Sequence, residues 1–266
     1  PFPMTSSPDS KNHEPLAEGT LLSHLLELRG RLMKMIIAVL ILFVCLAPFS
    51  EILFRLVALP LMDKLPEGAT MIATQVASPF LTPFKLTFLL AIFLAIPVIL
   101  SQAWAFIAPG LYQQERRFVM PLLISSIALF YIGVAFAYYV VFPLMFSFFT
   151  AVAPEGVAVM TDITSYLDFV LTLFFAFGIA FEVPVATVLM VRAGLVTPRE
   201  LTEKRAYVFL GAFVMGMLLT PPDVISQTLL ALPVYCLYEV GIIMSRVMVP
   251  GYKEVEAQRK ADAEES

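Results

Sequence analysis

Apolar residues in this chain come in long runs, and polar residues gather in the short stretches between them. The runs cover about 32–47, 85–107, 118–142, 167–191, 206–220 and 224–244, and each reads as a membrane-crossing helix. A transmembrane barrel would instead show ten-residue segments of alternating character. The pattern therefore predicts an all-α polytopic membrane protein with six transmembrane helices, the last two segments short. Residues 1–19 form a polar tail expected to be disordered, 20–249 the membrane domain, and 250–266 a second disordered polar tail.

The punctuation between runs gives the local expectations. Leu21, Leu22, Leu25, Leu28 and Leu32 recur at helical spacing while Ser23, Glu27, Arg31 and Lys34 take other faces, so 20–31 reads as an interfacial amphipathic helix feeding span one. Span one stops before Pro48. The connector 48–84 is rich in proline and carries a short helix near 52–61; it reads as a structured external cap, with Pro48 and Pro60 in it. The echo SPF-x-TPF at 78–84 restricts the backbone just before span two. Pro97 sits near the middle of span two, and Pro143 is expected to bend or end span three. Thr161-Asp162 offers an N-cap for span four, Thr197-Pro198 a cap and first residue for a short helix, and Pro221-Pro222-Asp223 a tight turn.

Composition agrees with this picture: 59% of residues are hydrophobic, 14% are charged, and the mean hydropathy is +0.87. The net charge of −4 says less than where the charges lie. On the side of both termini fall 14 of the 17 Lys and Arg residues, leaving Arg55, Lys64 and Lys85 on the other. The positive-inside rule then places both termini in the cytoplasm. No small-residue cleavage pattern follows the first apolar run, so no cleavable secretory signal is expected. Cys45 and Cys236 lie inside apolar runs and read as small buried hydrophobes. His13 and His24 are the only histidines and both precede span one, which leaves no histidine metal site. No phosphate-binding loop and no nucleophile–base pair appears, so neither an enzyme, a cofactor, a metal nor a nucleic-acid partner is expected. Spans five and six approach the lower length limit and read either as a re-entrant pair or as true spans that thin the bilayer beside them.

Two places carry candidate chemistry. The hairpin SQAWAFIAPGLYQQERR at 101–117 joins Trp104, Phe106 and Tyr112 to Glu115, Arg116 and Arg117 at the membrane edge, on the side that also holds Glu27. Two carboxylates beside aromatic and apolar surface suit an extended ligand bearing two arginines next to a hydrophobic segment. The second place is Glu182, a carboxyl in an apolar stretch that costs about 2.5–3.5 kcal/mol to insert unless protonated or paired. It reads either as a proton-sensitive or partner-binding group facing a water-filled concavity, or as an internal hydrogen-bonding device. A proton-coupled small-solute secondary transporter using Glu182 is the competing functional reading. That reading calls for several polar groups at the midplane, and Glu182 stands nearly alone. Asp223 suits an N-cap of span six, and Thr220, Ser226 and Gln227 form a polar cluster of the kind that joins helices within or between subunits.

The segments SHLLELRGRL at 23–32, ASPFLTPFK at 77–85, WAFIAPGLYQQERR at 104–117, FGIAFEVP at 177–184 and LLTPPDVISQ at 218–227 together resemble the TatC family of the Sec-independent, twin-arginine protein translocase. The resemblance covers residues 20–250. It implies a glove-shaped six-span bundle in the bacterial inner membrane that receives folded cargo with twin-arginine signal peptides. It implies that Glu27 and Glu115 engage the arginines, with Phe106, Leu111 and Arg117 in the same patch, and that Glu182 is the intramembrane carboxyl of the concave side. Asp223 falls in the external turn. Thr220, Gln227 and Met217 fall where TatA-like and TatB-like single-span subunits make contact. The implied machine self-associates, is driven by the proton-motive force, and needs no nucleotide.

Overall fold

The computed structural model describes residues 16–62, 72–107, 119–152, 162–219 and 224–249. The tail residues 1–15 and 250–266 lie outside the described residues. The chain runs through helices α1 (Leu16–Leu46), α2 (Ser50–Met62), α3 (Ser78–Ile107), α4 (Val119–Phe136), α5 (Phe142–Val152), α6 (Ile163–Ala180), α7 (Val183–Arg192), α8 (Pro198–Glu203), α9 (Arg205–Leu219) and α10 (Val224–Met248). Among the described residues, five stretches are long and apolar enough to cross a bilayer: Leu25–Val57, Ser78–Phe106, Met120–Met145, Ile163–Arg192 and Gln227–Met248. The sixth expected span, α9, is apolar but has 15 residues. At 1.5 Å per residue it reaches about 22 Å, against a hydrocarbon thickness of about 30 Å.

The helix start and the prolines fall differently from the sequence expectation. α1 begins at Leu16, inside the stretch read as a tail, because Ala17 and Glu18 extend a helix already nucleated downstream. α3 begins at Ser78, so the SPF-x-TPF echo lies inside the helix rather than ahead of it. Pro79 takes an early position whose N–H needs no partner. Pro143 does not end the third span. A single π turn over Ala137–Val141 precedes it, and α5 continues to Val152. The wider turn makes room for the proline ring and its missing donor. Span four is broken: Pro184 removes the donor for Ala180, Glu182 N–H turns back to Ile179 at 3.0 Å, and α7 starts afresh at Val183. Cys45 and Cys236 are free and exposed, not buried, since each sits on an outer helix face.

Pro97 shows how such a break is made good in lipid. Its missing N–H leaves the carbonyl of Phe93 without an intrahelical partner, and Tyr131 of α4 donates to that oxygen at 2.9 Å. Around this tie lies an aromatic core. Phe93 stacks on Phe175 with centroids 4.5 Å apart, and Phe130 and Phe177 are fully buried beside them. Glycines let the backbones close: a Cβ on Gly133 would stand 2.5 Å from the carbonyl oxygen of Phe177, and one on Gly178 would stand 2.6 Å from the Phe130 ring. Phe54 and Val57 of α2 pack on the same core, so this connector covers one end of the bundle.

Asp162 closes that end as predicted. It caps α6 by accepting from Ser165 N–H at 3.0 Å and binds the loop before α3 through Thr74 N–H and Oγ1 at 3.0 and 2.9 Å. These donors hold its carboxyl well below the usual carboxylate range.

Two outcomes follow from these ties. Tyr131→Phe orphans the Phe93 carbonyl and should lower stability by about 1 kcal/mol, read as a lower thermal midpoint in detergent. Because the folded Asp162 pKa is depressed, its contribution is present above the unfolded value of about 3.9 and is lost only as pH falls well below that. Amide exchange at Thr74 and Ser165 should therefore stay slow down to about pH 4 in the native chain, and Asp162→Ala should expose both amides at neutral pH.

Candidate functional site

α2 turns back from the end of α1 onto the start of α3, and the Phe43 ring of α1 meets Phe88 of α3 edge-on at 5.6 Å. The two long helices are therefore antiparallel. Sixteen residues back along α1 from Phe43 lies Glu27, and sixteen forward along α3 from Phe88 lies Trp104. Glu27 thus comes level with the end of α3 that carries Trp104 and half-buried Phe106. The other expected members of this patch, Leu111, Glu115 and Arg117, lie outside the described residues.

Glu27 is not idle. Arg31, one turn on, donates to its Oε1 from Nε at 3.1 Å and from Nη2 at 2.6 Å. Such an i,i+4 pair is worth only about 0.3–0.5 kcal/mol, whereas charge-assisted hydrogen bonds to a new guanidinium contribute about 1.5–3 kcal/mol. Trp104 behaves differently from the interfacial anchor its sequence position suggests. It is 6% exposed, packs on Leu122 and Val185, and donates its indole N–H to Ser126 Oγ at 3.3 Å. Its amphipathic ring finds a partner inside the bundle, so it turns inward.

Glu182 stands at the joint between α6 and α7 and caps nothing with its side chain. Ser126 of α4 lies beside its carboxyl. Its Oε1 is buried and has no hydrogen-bond partner among the described residues. The polar groups around this carboxyl are thus Ser126 and, behind it, the Trp104 indole.

The C-terminal pair of helices is tied by polar bonds. Gln227 Nε2 reaches the Phe213 carbonyl of α9 at 2.8 Å, passing over Gly216, where any Cβ would press on its side chain. Arg205 at the start of α9 binds Glu239 of α10 at 2.6 Å, and Tyr235 donates to the same carboxylate at 3.0 Å. Met217 projects outward, 52% exposed. Thr220 and Asp223 lie outside the described residues. An apolar groove of about 680 Å³ opens between α3, α6, α9 and α10, with the Lys85–Asp168 ion pair on its lining.

Asp168, Glu239 and Ser126 were not singled out from sequence. Two of them had a signal: Asp168 lies as near the external end of its span as Lys85 does of its own, and Glu239 lies near the same end as Arg205. Charges of opposite sign at matching depth predict partners. Ser126 gave no signal, because a serine in a span usually bonds its own backbone. Among the described residues, no cluster of three or more His, Cys, Asp or Glu is placed to hold a metal.

An all-helical bundle with five stretches long and apolar enough to span a bilayer is a polytopic membrane protein. This chain belongs to the TatC family: the pattern that defines the Sec-independent protein translocase protein (TatC) family matches residues 23–233. The chain is 59% identical over 229 residues to the Sec-independent protein translocase protein TatC of Escherichia coli (strain K12), covering 86% of this chain and 89% of that one. It is 60% identical over 239 residues to the protein of the same name from Azotobacter chroococcum mcd 1, covering 90% and 92%. Two crystal structures of the twin arginine translocase receptor TatC share 38% identity with it. One superposes with a TM-score of 0.76 over 84% of this chain and 98% of that chain, the other, in DDM, with 0.77 over 84% and 99%.

Removing one charge of the α9–α10 tie should cost far more than removing a surface pair. Arg205→Ala strands Glu239, whose side chain is 26% exposed, whereas Arg55→Ala breaks an i,i+4 pair with Glu51 that is more than 70% exposed at both ends. Thermal unfolding in detergent should show a clear fall for the first and a change of at most about 0.5 kcal/mol for the second.

Proposed function

We propose that this chain is the receptor and core subunit of a twin-arginine protein translocase. It is not an enzyme. Membership of the TatC family supports the role, and the observation that carries the site is the antiparallel register that brings Glu27 level with Trp104 and Phe106. A carboxylate level with an aromatic helix end supports binding of a peptide whose paired arginines precede an apolar segment. In this reading Glu27 and Glu115 each take a guanidinium, while Phe106, Leu111 and Arg117 shape the surface around them.

The same reading supplies the finer architecture. Six helices cross the bacterial inner membrane in a glove-shaped bundle, α9 being the short fifth span, and both termini lie in the cytoplasm, as the distribution of Lys and Arg favours. Asp223 lies in an external turn. TatA-like and TatB-like single-span subunits pack near Thr220, Gln227 and Met217. Exposed Met217 is suited to direct contact, and Gln227, spent on the Phe213 carbonyl, acts by holding α9 in place. The complex self-associates, and the proton-motive force drives transport of folded cargo. Nothing in the surroundings of Glu182 favours a small-solute transporter.

The test is binding of a twin-arginine signal peptide to the purified chain in detergent, with a twin-lysine peptide as control. Glu27→Ala and Glu115→Ala should each weaken binding by about 10–100-fold, the loss of charge-assisted hydrogen bonds. Arg31→Ala should change it by no more than about two-fold, the worth of the intrahelical pair. Equal binding of the lysine peptide, or indifference to both carboxylate substitutions, overturns the assignment.

A further inference from the structure

The chain contains one tryptophan, and it lies between the recognition surface and the buried carboxyl. An indole N–H can only donate. Ser126 Oγ accepts it at 3.3 Å, which leaves the serine's own hydrogen free to be given elsewhere. The helix register says where. The Phe130 ring lies against Gly178, and one turn away along both antiparallel helices Ser126 comes opposite Glu182. Ser126 is fully buried and Trp104 nearly so, so water does not compete for these bonds.

We propose that Ser126 is a positioning residue for Glu182, and that with Trp104 it forms a bridge through which occupancy of the recognition surface alters the exposure of that carboxyl. The inference rests on the receptor reading above. Trp104 and Phe106 share the last turns of α3, so a ligand that packs on Phe106 pulls on the helix end that holds the indole. At the far end of the bridge, Glu182 sits on a joint rather than within a helix. Pro184 has removed one backbone bond there, and the Glu182 N–H bonds at the shorter i−3 spacing. The carboxyl can therefore swing without either α6 or α7 unwinding. With the bridge closed, one carboxyl oxygen is engaged by Ser126 and the carboxyl is held inside the bundle. With the bridge opened, the carboxyl turns toward whatever donor approaches from the membrane.

The bridge reports on itself, because Trp104 is the sole tryptophan and its emission is assignable without substitution. The experiment uses the full chain in lipid nanodiscs and a tryptophan-free twin-arginine peptide. Peptide binding is measured by anisotropy of a label on the peptide, Trp104 emission on the same sample, and reaction of Glu182 with a hydrophobic carbodiimide by mass spectrometry. In the native chain, saturating peptide should shift the emission and change Glu182 labelling by about five-fold, the lower end of ordinary coupling between sites. Ser126→Ala should bind peptide within about two-fold of native yet lose the labelling change, and Ser126→Thr, which keeps the hydroxyl, should restore it. A merely structural serine would alter stability without abolishing the peptide-dependent change. If peptide binds and Glu182 labelling stays constant, or if Ser126→Ala keeps the full response, the bridge is refuted while the receptor reading stands. If the native chain binds no peptide, both fall.

Discussion

Inside a bilayer no water is available to satisfy a backbone group, and this protein places prolines within its membrane-spanning stretches nonetheless. Each proline removes one donor and leaves one carbonyl in need of a partner or a change of geometry. The fold answers in a different way at three of them. At Pro97 a tyrosine from the next helix supplies the donor. At Pro143 the preceding turn widens. At Pro184 the helix stops and restarts, and the interruption is occupied by the carboxyl that sequence alone had marked as an energetic anomaly. The buried glutamate and the proline two residues later are thus one feature: the carboxyl sits where the backbone is already irregular, with Ser126 beside it.

Helix packing follows from the same constraint. Apolar contact gives helices little reason to associate in lipid, so close approach and hydrogen bonding must supply it. Gly133 and Gly178 bring α4 and α6 into backbone contact, and Gly241 does so for α7 and α10, where a Cβ would meet Thr187 Oγ1 at 2.2 Å. The ion pairs Lys85–Asp168 and Arg205–Glu239 bind helices distant in sequence.

The helices were legible because runs of apolar residues are a one-dimensional signal, and so were the caps at Asp162 and Thr197, where side chain and backbone partner lie three residues apart. The packing of the connector after α1 was legible as well, since its apolar positions had to cover something. What sequence did not yield depends on rotation and register. The inward turn of Trp104, the pairing of Asp168 and the hydroxyl at Glu182 all require knowing which faces of separate helices meet. Of the bend or end expected at Pro143 the end does not occur: a helix breaker is a statement about one donor, and a single π turn precedes the proline while the helix continues. Cys45 and Cys236 misled because an apolar run in a membrane protein has an outside made of lipid, so residence in the run does not mean burial.

α9 differs from its neighbours in how it is held. Only Ala212 and Gly216 are buried in it, and what ties it is a guanidinium–carboxylate pair at one end and a hydrogen bond from the Gln227 amide to its backbone towards the other. A helix pinned at two directional points, with one side laid on α10 and its outer face bare, behaves like a slat on pivots: its angle is defined while that outer face stays open.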